Sequence, residues 1–169
     1  MEEHIEIGDI IERPLEDMQS AIVSGVYSVW LAKCGSQTMP LRKDLTPRLL
    51  MRYLPYLHLF DVKGADHFQV RLCGTAIAQA LGKDTTGAEL TANDPSILKQ
   101  RTVKVLKRAL TLKAPVLVFT QRGAAPGTRV HRAESIWLPL SDCGNTVDQI
   151  LSATAIELLP EFARGASLK

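Results

Sequence analysis

The chain has 169 residues, which is the usual length of one domain, so two full domains are not expected. Hydrophobic residues make up 46% of it and charged residues 22%, a globular composition that excludes a disordered or fibrous protein. The net charge of +2 is too small for the positive field that non-specific nucleic-acid binding requires, so no DNA partner is expected.

Targeting signals are not indicated. The first residues are acidic where a secretory signal would be basic. The longest apolar stretch, from Ala21 to Ala32, is shorter than the roughly 20 residues that span a bilayer, so it predicts a buried helix and no membrane span. The three cysteines are widely spaced, without a Cys-x-x-Cys pair, which indicates reduced thiols and no metal site. We therefore expect a cytoplasmic protein.

The first third of the chain has a helical pattern. After Pro14, apolar residues at three- and four-residue steps predict a helix from Leu15 to Lys33, which Gly35 ends. A second, short helix is predicted to begin at Thr46 as its N-cap and to stop at Pro55. A polar connector separates the two helices.

From residue 56 the pattern changes to that of strands. Residues 57–62 predict one strand, residues 63–66 a hairpin turn, and Phe68 to Cys73 the return strand. The residues of the return strand expected to share one face are Phe68, Val70 and Leu72.

The clearest amphipathic helix follows, with Asp94 as its predicted N-cap and Pro95 at its first position. Its inward stripe is predicted to be Leu98, Thr102, Val105, Leu106, Ala109 and Leu112. Its basic residues are expected to lie mostly outside that stripe, and they are Lys99, Arg101, Lys104, Lys107 and Arg108. Such a basic run is usually a solvated face.

Three strands complete the pattern. They are predicted over Val116 to Thr120, Arg129 to Leu140 and Val147 to Leu158, and residues 121–128 are predicted to form a hairpin loop and not a phosphate cradle. In the second of these strands, alternation assigns Val130, Ile136 and Leu138 to one face and His131, Ala133 and Trp137 to the other. Residues 1–55 are then a helical extension that packs on the core or on a dimer partner, 56–158 the core, and 159–169 a flexible tail.

The element order and several short motifs resemble those of a PAS domain. The segment from Phe68 to Gly87 resembles the second PAS strand and the glycine-bounded turn that follows it. A set of motif residues resembles the pattern of a bacterial single-domain PAS-like family common in alphaproteobacteria. These motif residues are Trp30, Pro40, Arg42, Asp44, Pro47, Pro55, Arg71, Gly74, Thr75, Glu134, Leu138 and Pro139.

That resemblance implies an α+β fold, a five-stranded antiparallel sheet with flanking helices, and a sensory or adaptor role without catalysis. With no output domain in the chain, signalling would pass by docking to a protein partner, and a homodimer is expected. Two alternatives remain open: a receptor for a nucleotide second messenger such as a cyclic dinucleotide, and a small enzyme with an unrecognised cavity site. A strongly shifted carboxylate or histidine in a buried pocket would favour the enzyme.

Candidate ligand contacts are assigned mainly to the strands and the long helix. Arg71 is the leading candidate, because a guanidinium can hold a carboxylate or phosphate through two parallel bonds. The full predicted set is Arg71, Gly74, Thr75, Val105, Phe119, His131, Glu134 and Trp137. The connector pair of Arg42 and Asp44 has two interpretations, an anion-recognition loop or an ion pair that positions the helices. For Arg71 and Glu134 a structural ion pair is the competing interpretation.

No cofactor is predicted. The four histidines all lie outside residues 74–115, where a haem-binding PAS domain usually offers its ligand, and no cysteine lies between Cys73 and Cys143 to serve a photoactive flavin. His131 and Glu134 are three apart on one predicted strand, so they are not expected to form a catalytic dyad unless a bulge intervenes.

Overall fold

The structure, a computed structural model, describes residues 6–7, 10–120 and 128–163. Its strands are β1 (Glu6–Ile7), β2 (Ile10–Arg13), β3 (Leu57–Gly64), β4 (His67–Cys73), β5 (Glu89–Thr91), β6 (Val116–Thr120), β7 (Val130–Leu140) and β8 (Gln149–Leu158). Its helices are α1 (Ala21–Cys34), α2 (Thr75–Leu81), α3 (Ile97–Leu112) and α4 (Pro160–Ala163). The predicted loop at residues 121–128 lies outside the described residues except for Thr128, as does the tail after residue 163.

The described strands form one antiparallel sheet in the order β1-β2-β6-β7-β8-β3-β4-β5. The α+β class with an antiparallel sheet and flanking helices is therefore confirmed. The five predicted strands are β3, β4, β6, β7 and β8, and the structure adds β1, β2 and β5. Each added strand has two to four residues, too few to show an alternating period in the sequence.

Helices cover both faces of the sheet. α1 packs against β7 and β8 on what we call the outer face, and α2 and α3 cover the opposite, inner face. The segment 1–55 was expected to be helical, but it contains β1 and β2. β2 forms a strand there by pairing with β6 of the central sheet. The division of the chain at residues 55 and 158 stays a prediction.

α1 begins six residues later than predicted. Leu15–Asp17 form a separate 3-10 turn, and Ser20 is the N-cap, its Oγ accepting hydrogen bonds from the backbone N–H groups of Ile22 (3.1 Å) and Val23 (3.4 Å). Gly35 ends the helix at a positive φ of 57°. The expected end of the helix is therefore confirmed and its expected start is wrong.

Two other predicted helix boundaries also differ. The segment after Thr46 forms a turn and then the 3-10 helix Met51–Tyr56, because Pro55 lacks the N–H that a longer α-helix needs. The N-cap of α3 is Ser96, whose Oγ accepts from the N–H of Lys99, whereas Asp94 Oδ1 accepts from the N–H of Ser96. The predicted N-cap role of Asp94 is therefore wrong by two residues.

Bulges shift the predicted strand faces at two positions. Arg71 is an extra residue of β4 opposite the adjacent pair Leu59 and Phe60, so Leu72 is 37% exposed and does not share the buried face of Val70. His131 is an extra residue of β7, which moves Val130 to the inner face instead of the face of Ile136. A period-2 pattern carries no signal of such an insertion.

Candidate functional site

A cavity of about 190 Å³ lies between the inner face of the sheet and helices α2 and α3. Most of its lining is apolar, and these residues are Ile10, Phe60, Val70, Ile77, Ala80, Leu81, Ala88, Leu90, Leu98, Val105, Val118, Val130, Ala133, Trp137 and Ile156. The polar lining residues are His58, Thr85, Lys99, Arg101, Thr102, Thr120, Thr128, Ser135 and Thr154. A lining of this kind, apolar with a few placed polar groups, is typical of a small-molecule pocket.

Aromatic rings form one wall of the cavity. Trp137 of β7 stacks on Phe60 of β3 with 5.5 Å between ring centroids, and its Nε1 donates to Ser135 Oγ at 3.0 Å. Phe60 in turn contacts the ring of His58 at 5.1 Å. The Phe60 and Trp137 side chains are buried and stack on each other, so this wall is formed in advance of any ligand.

His58 is a titratable group in contact with this aromatic wall. Its Nε2 shares a hydrogen bond with Thr85 Oγ1 at 3.3 Å. Burial lowers the pKa of His58 from its ordinary value of 6.5 to about 4, although the nearby carboxylate of Asp84 acts in the opposite direction. The imidazole is therefore neutral near pH 7 and can accept or donate a hydrogen bond in the cavity.

This lowered pKa predicts a loss of stability in mild acid. The unfolded chain takes up a proton at His58 near pH 6.5, and the folded chain only near pH 4. The contribution of the neutral imidazole to the free energy of unfolding is therefore complete above pH 6.5 and is lost as the pH falls from about 6.5 to about 4. We expect the free energy of unfolding to fall by about 2 kcal/mol more between pH 7 and pH 5 in the wild type than in His58→Gln. Urea unfolding at each pH measures it, with His67→Gln as control; parallel wild-type and His58→Gln profiles would contradict it.

Two of the eight predicted ligand contacts line the cavity, namely Val105 on α3 and Trp137 on β7. Arg71 lies elsewhere. Its Nη1 contacts Asp61 Oδ2 at 3.3 Å on the neighbouring strand, and its side chain is 51% exposed. Because Arg71 occupies the bulge of β4, it forms an exposed cross-strand ion pair and does not point into the cavity.

Glu134 lies on the outer face and binds the start of α1. Its Oε1 accepts from the N–H of Gln19 at 3.0 Å, and its Oε2 accepts from the N–H of Ser20 at 3.0 Å. A carboxylate at this position satisfies backbone donors and lies at the positive end of the helix dipole. The structure therefore places Glu134 in a helix-capping position.

Phe119 and His131 line the same groove as Glu134 and Gln19. Thr120, Ala133 and Ile156 line both this groove and the cavity. The bulge at His131 brings it to the same groove as Glu134, yet no hydrogen bond joins these two side chains in the part of the chain that the structure describes. The arrangement gives no sign of a dyad, because the Glu134 carboxylate binds backbone donors.

Gly74 and Thr75 mark the junction of β4 and α2. A Cβ on Gly74 would lie 2.5 Å from the carbonyl oxygen of Leu54 and closer still to that of Pro55. Glycine is therefore needed for close backbone approach, and this accounts for the pairing of Pro55 and Gly74 in the sequence motif. Thr75 is the first residue of α2 and is exposed.

The other motif residues also hold elements together. Trp30 Nε1 donates to the carbonyl oxygen of Pro139 at 2.9 Å, which fixes the carboxyl-terminal half of α1 to β7. The N–H of Arg42 donates to the Ser141 carbonyl at 2.8 Å, and the N–H of Ser141 donates to that of Pro40 at 3.2 Å.

The ion-pair interpretation of the connector residues Arg42 and Asp44 is not supported by their contacts. Among the described residues no ion pair joins Arg42 to Asp44, and the N–H of Asp44 donates to the carbonyl of Leu41. Backbone hydrogen bonds therefore position this connector. Pro47 begins the exposed turn that precedes the 3-10 helix.

Several cavity residues were missed at the level of sequence. His58 and Phe60 share a face of β3, so alternation in that strand could have paired them. Lys99 and Arg101 were expected outside the apolar stripe of α3, but both line the cavity from the amino-terminal turns of that helix. Helical periodicity could not show this, because only the fold brings the strands to the first turns of α3.

The described residues contain no cluster of three or more His, Cys, Asp or Glu that could hold a metal ion. Across the same described residues, no helix is both long and apolar enough to cross a bilayer.

A family model described as a PAS domain matches residues 18–155, which is most of the chain. The chain therefore belongs to the PAS domain family, in agreement with the antiparallel sheet, its flanking helices and the cavity. No curated protein matches the chain. Membership of this family makes the chain a domain of the signalling and sensory kind.

Proposed function

We propose that the chain is a non-enzymatic sensory or adaptor domain of bacterial signalling that binds a compact small molecule in its cavity. The observation that carries the proposal is the cavity itself, apolar and lined by aromatic rings, with polar groups at a few positions. A core without a ligand site would be expected to close such a space, because voids larger than a water molecule are few in close-packed interiors.

The volume limits the ligand. Pockets for drug-sized ligands have about 300 to 1,000 Å³, and an apolar cavity of about 150 Å³ holds a benzene molecule. At about 190 Å³ the space fits one ring or a short branched chain. This size argues against the alternative of a cyclic dinucleotide inside the cavity.

The response would leave the cavity through the sheet. β7 carries Trp137 on its inner face, whereas Glu134 and Pro139 bind α1 from the same strand. We expect α1, on which Leu31 is 52% exposed, to meet a signalling partner or a second copy of the chain in the cytoplasm. A change at the aromatic wall then alters the surface that this partner contacts.

Cavity filling tests the proposal. Ala133 of β7 lines both the cavity and the groove beside Glu134, whereas Ala155 of β8 lines only the groove. Ala133→Leu and Ala155→Leu therefore differ in whether they fill the cavity, and they are a matched pair. Neutral ring compounds such as phenol and indole are titrated by NMR, and purified protein is screened by mass spectrometry for a retained ligand. We expect saturable binding that Ala133→Leu weakens at least about ten-fold, the loss of about 1.4 kcal/mol. Equal binding by both variants, or none by the wild type, would overturn the proposal.

His58 favours a second candidate, a small hydrolytic enzyme. A buried histidine with a lowered pKa, hydrogen-bonded to the hydroxyl of Thr85, has the acid–base and nucleophile character of an active site. Hydrolysis of p-nitrophenyl acetate by the wild type that disappears in both His58→Gln and Thr85→Val would support the enzyme. Rates equal to those of the variants would leave the non-enzymatic proposal standing.

A further inference from the structure

The charge of the cavity points to one class of ligand. Among the residues that the structure describes, three ionisable ones line it, His58, Lys99 and Arg101, and none of the described lining residues carries a carboxylate. His58 is neutral near pH 7 because burial lowers its pKa to about 4. The net charge of the lining therefore depends on the two basic residues of α3.

Lys99 is already paired. Its Nζ contacts Asp94 Oδ2 at 2.9 Å, and this hydrogen bond is the main cause of the lowered pKa of Asp94. The carboxylate balances the ammonium charge, so the Lys99–Asp94 pair adds no net charge at the cavity.

Arg101 has no such partner. It is half-buried, and in the described part of the chain it makes no ion pair or hydrogen bond. Its position differs from that of Lys107 and Arg108 farther along α3, which pair with Asp66 and Glu12. Because a guanidinium has five N–H donors and no acceptor, an arginine that lines an apolar cavity without a partner is a candidate site for an anion.

A second lining residue offers an unused polar atom. Thr128 Oγ1 is buried and has no hydrogen-bond partner among the described residues. A buried hydroxyl without a partner costs free energy, so such groups in native proteins are usually paired, often with water or a ligand. Thr128 lies two residues before β7 and lines the same cavity as Arg101.

We propose that the cavity takes a compact organic carboxylate, with its ring-sized apolar body among Phe60, Val105 and Trp137 and its negative charge paired with Arg101. This inference rests on the proposed function, that the cavity binds a small molecule. It adds the class of ligand and the residue that selects it. Thr128 supplies a further hydrogen bond to the bound molecule.

The test compares benzoate with benzamide, which has the same ring and nearly the same shape but no charge. Each is titrated by calorimetry or NMR into the wild type, Arg101→Gln and Lys104→Gln. Lys104 is an exposed residue of α3 that does not line the cavity, so its replacement removes one positive charge from the same helix. We expect the wild type and Lys104→Gln to bind benzoate at least about ten-fold more tightly than benzamide, as charge-assisted hydrogen bonds predict.

In Arg101→Gln the two affinities should become equal, with benzamide binding unchanged. The assignment is overturned if the wild type binds both probes equally, or if Arg101→Gln keeps the preference for benzoate. Binding of benzamide without any preference for benzoate would remove this inference and leave the proposed function intact. If neither probe binds and the neutral rings also fail, the proposed function fails.

Discussion

Replacement of Gly74 by alanine is expected to lower the free energy of unfolding by about 3 kcal/mol. The added Cβ would lie 2.5 Å from the Leu54 carbonyl oxygen, and the atoms in its way are backbone atoms of Leu54 and Pro55. They cannot move without displacing the 3-10 helix from α2. The backbone of Gly74 itself, at φ −64° and ψ 152°, suits alanine, so the cost is steric.

Gly64→Ala is the matched control for this substitution. The nearest atom to a Cβ on Gly64 is the His67 Cβ at 3.8 Å, which is an ordinary contact. Urea denaturation of both variants, monitored by tryptophan fluorescence, gives the comparison. If Gly74→Ala were as stable as Gly64→Ala, the close approach of β4 and the 3-10 helix described above would be wrong.

Replacement of Glu134 by alanine is expected to cost about 3 kcal/mol. The change leaves the N–H groups of Gln19 and Ser20 without their acceptor and removes a negative charge from the amino terminus of α1. Glu134→Gln, which keeps one oxygen acceptor, should cost about half as much. α1 should also detach before the sheet unfolds, and faster amide exchange over Ala21–Cys34 would report that.

Glu157→Ala is the control for the Glu134 series. Glu157 lies on the adjoining strand, is 59% exposed and pairs with Arg132 at 3.6 Å, so its loss should cost less than about 0.5 kcal/mol. A Glu134→Ala variant whose stability matches that of Glu157→Ala would show that the carboxylate does not hold the helix.

The sequence was sufficient for the fold and for the order of its main elements. The hairpin of β3 and β4, the long helix α3 and the last three strands all have strong local signals, such as alternation in β8 or the stripe of Val105, Leu106 and Ala109. The signals failed where structure depends on distant partners. α1 starts at Ala21 after the N-cap Ser20, and Glu134, more than a hundred residues away, accepts from the N–H groups of Gln19 and Ser20 that precede the helix.

The site was harder to predict than the fold. Gly74 and Glu134, which were predicted as ligand contacts, have structural contacts in the protein, as do the motif residues Trp30 and Pro139. Arg71 was displaced by a bulge that sequence patterns do not reveal. Arg101, by contrast, was assigned to a solvated face because its neighbours on α3 are basic. Its relation to the cavity depends on where α3 lies across the sheet.

β7 lies between the cavity on the inner face of the sheet and α1 on the outer face. Ser135 and Trp137 border the space on one side, and Glu134 and Ile136 lie on the side of α1. Neighbouring residues of β7 thus face opposite sides of the sheet, and each pair is joined by one planar peptide bond. We therefore expect a displacement of the Trp137 indole to reach Glu134 and Pro139, the residues of β7 that bind α1, through the backbone of the strand.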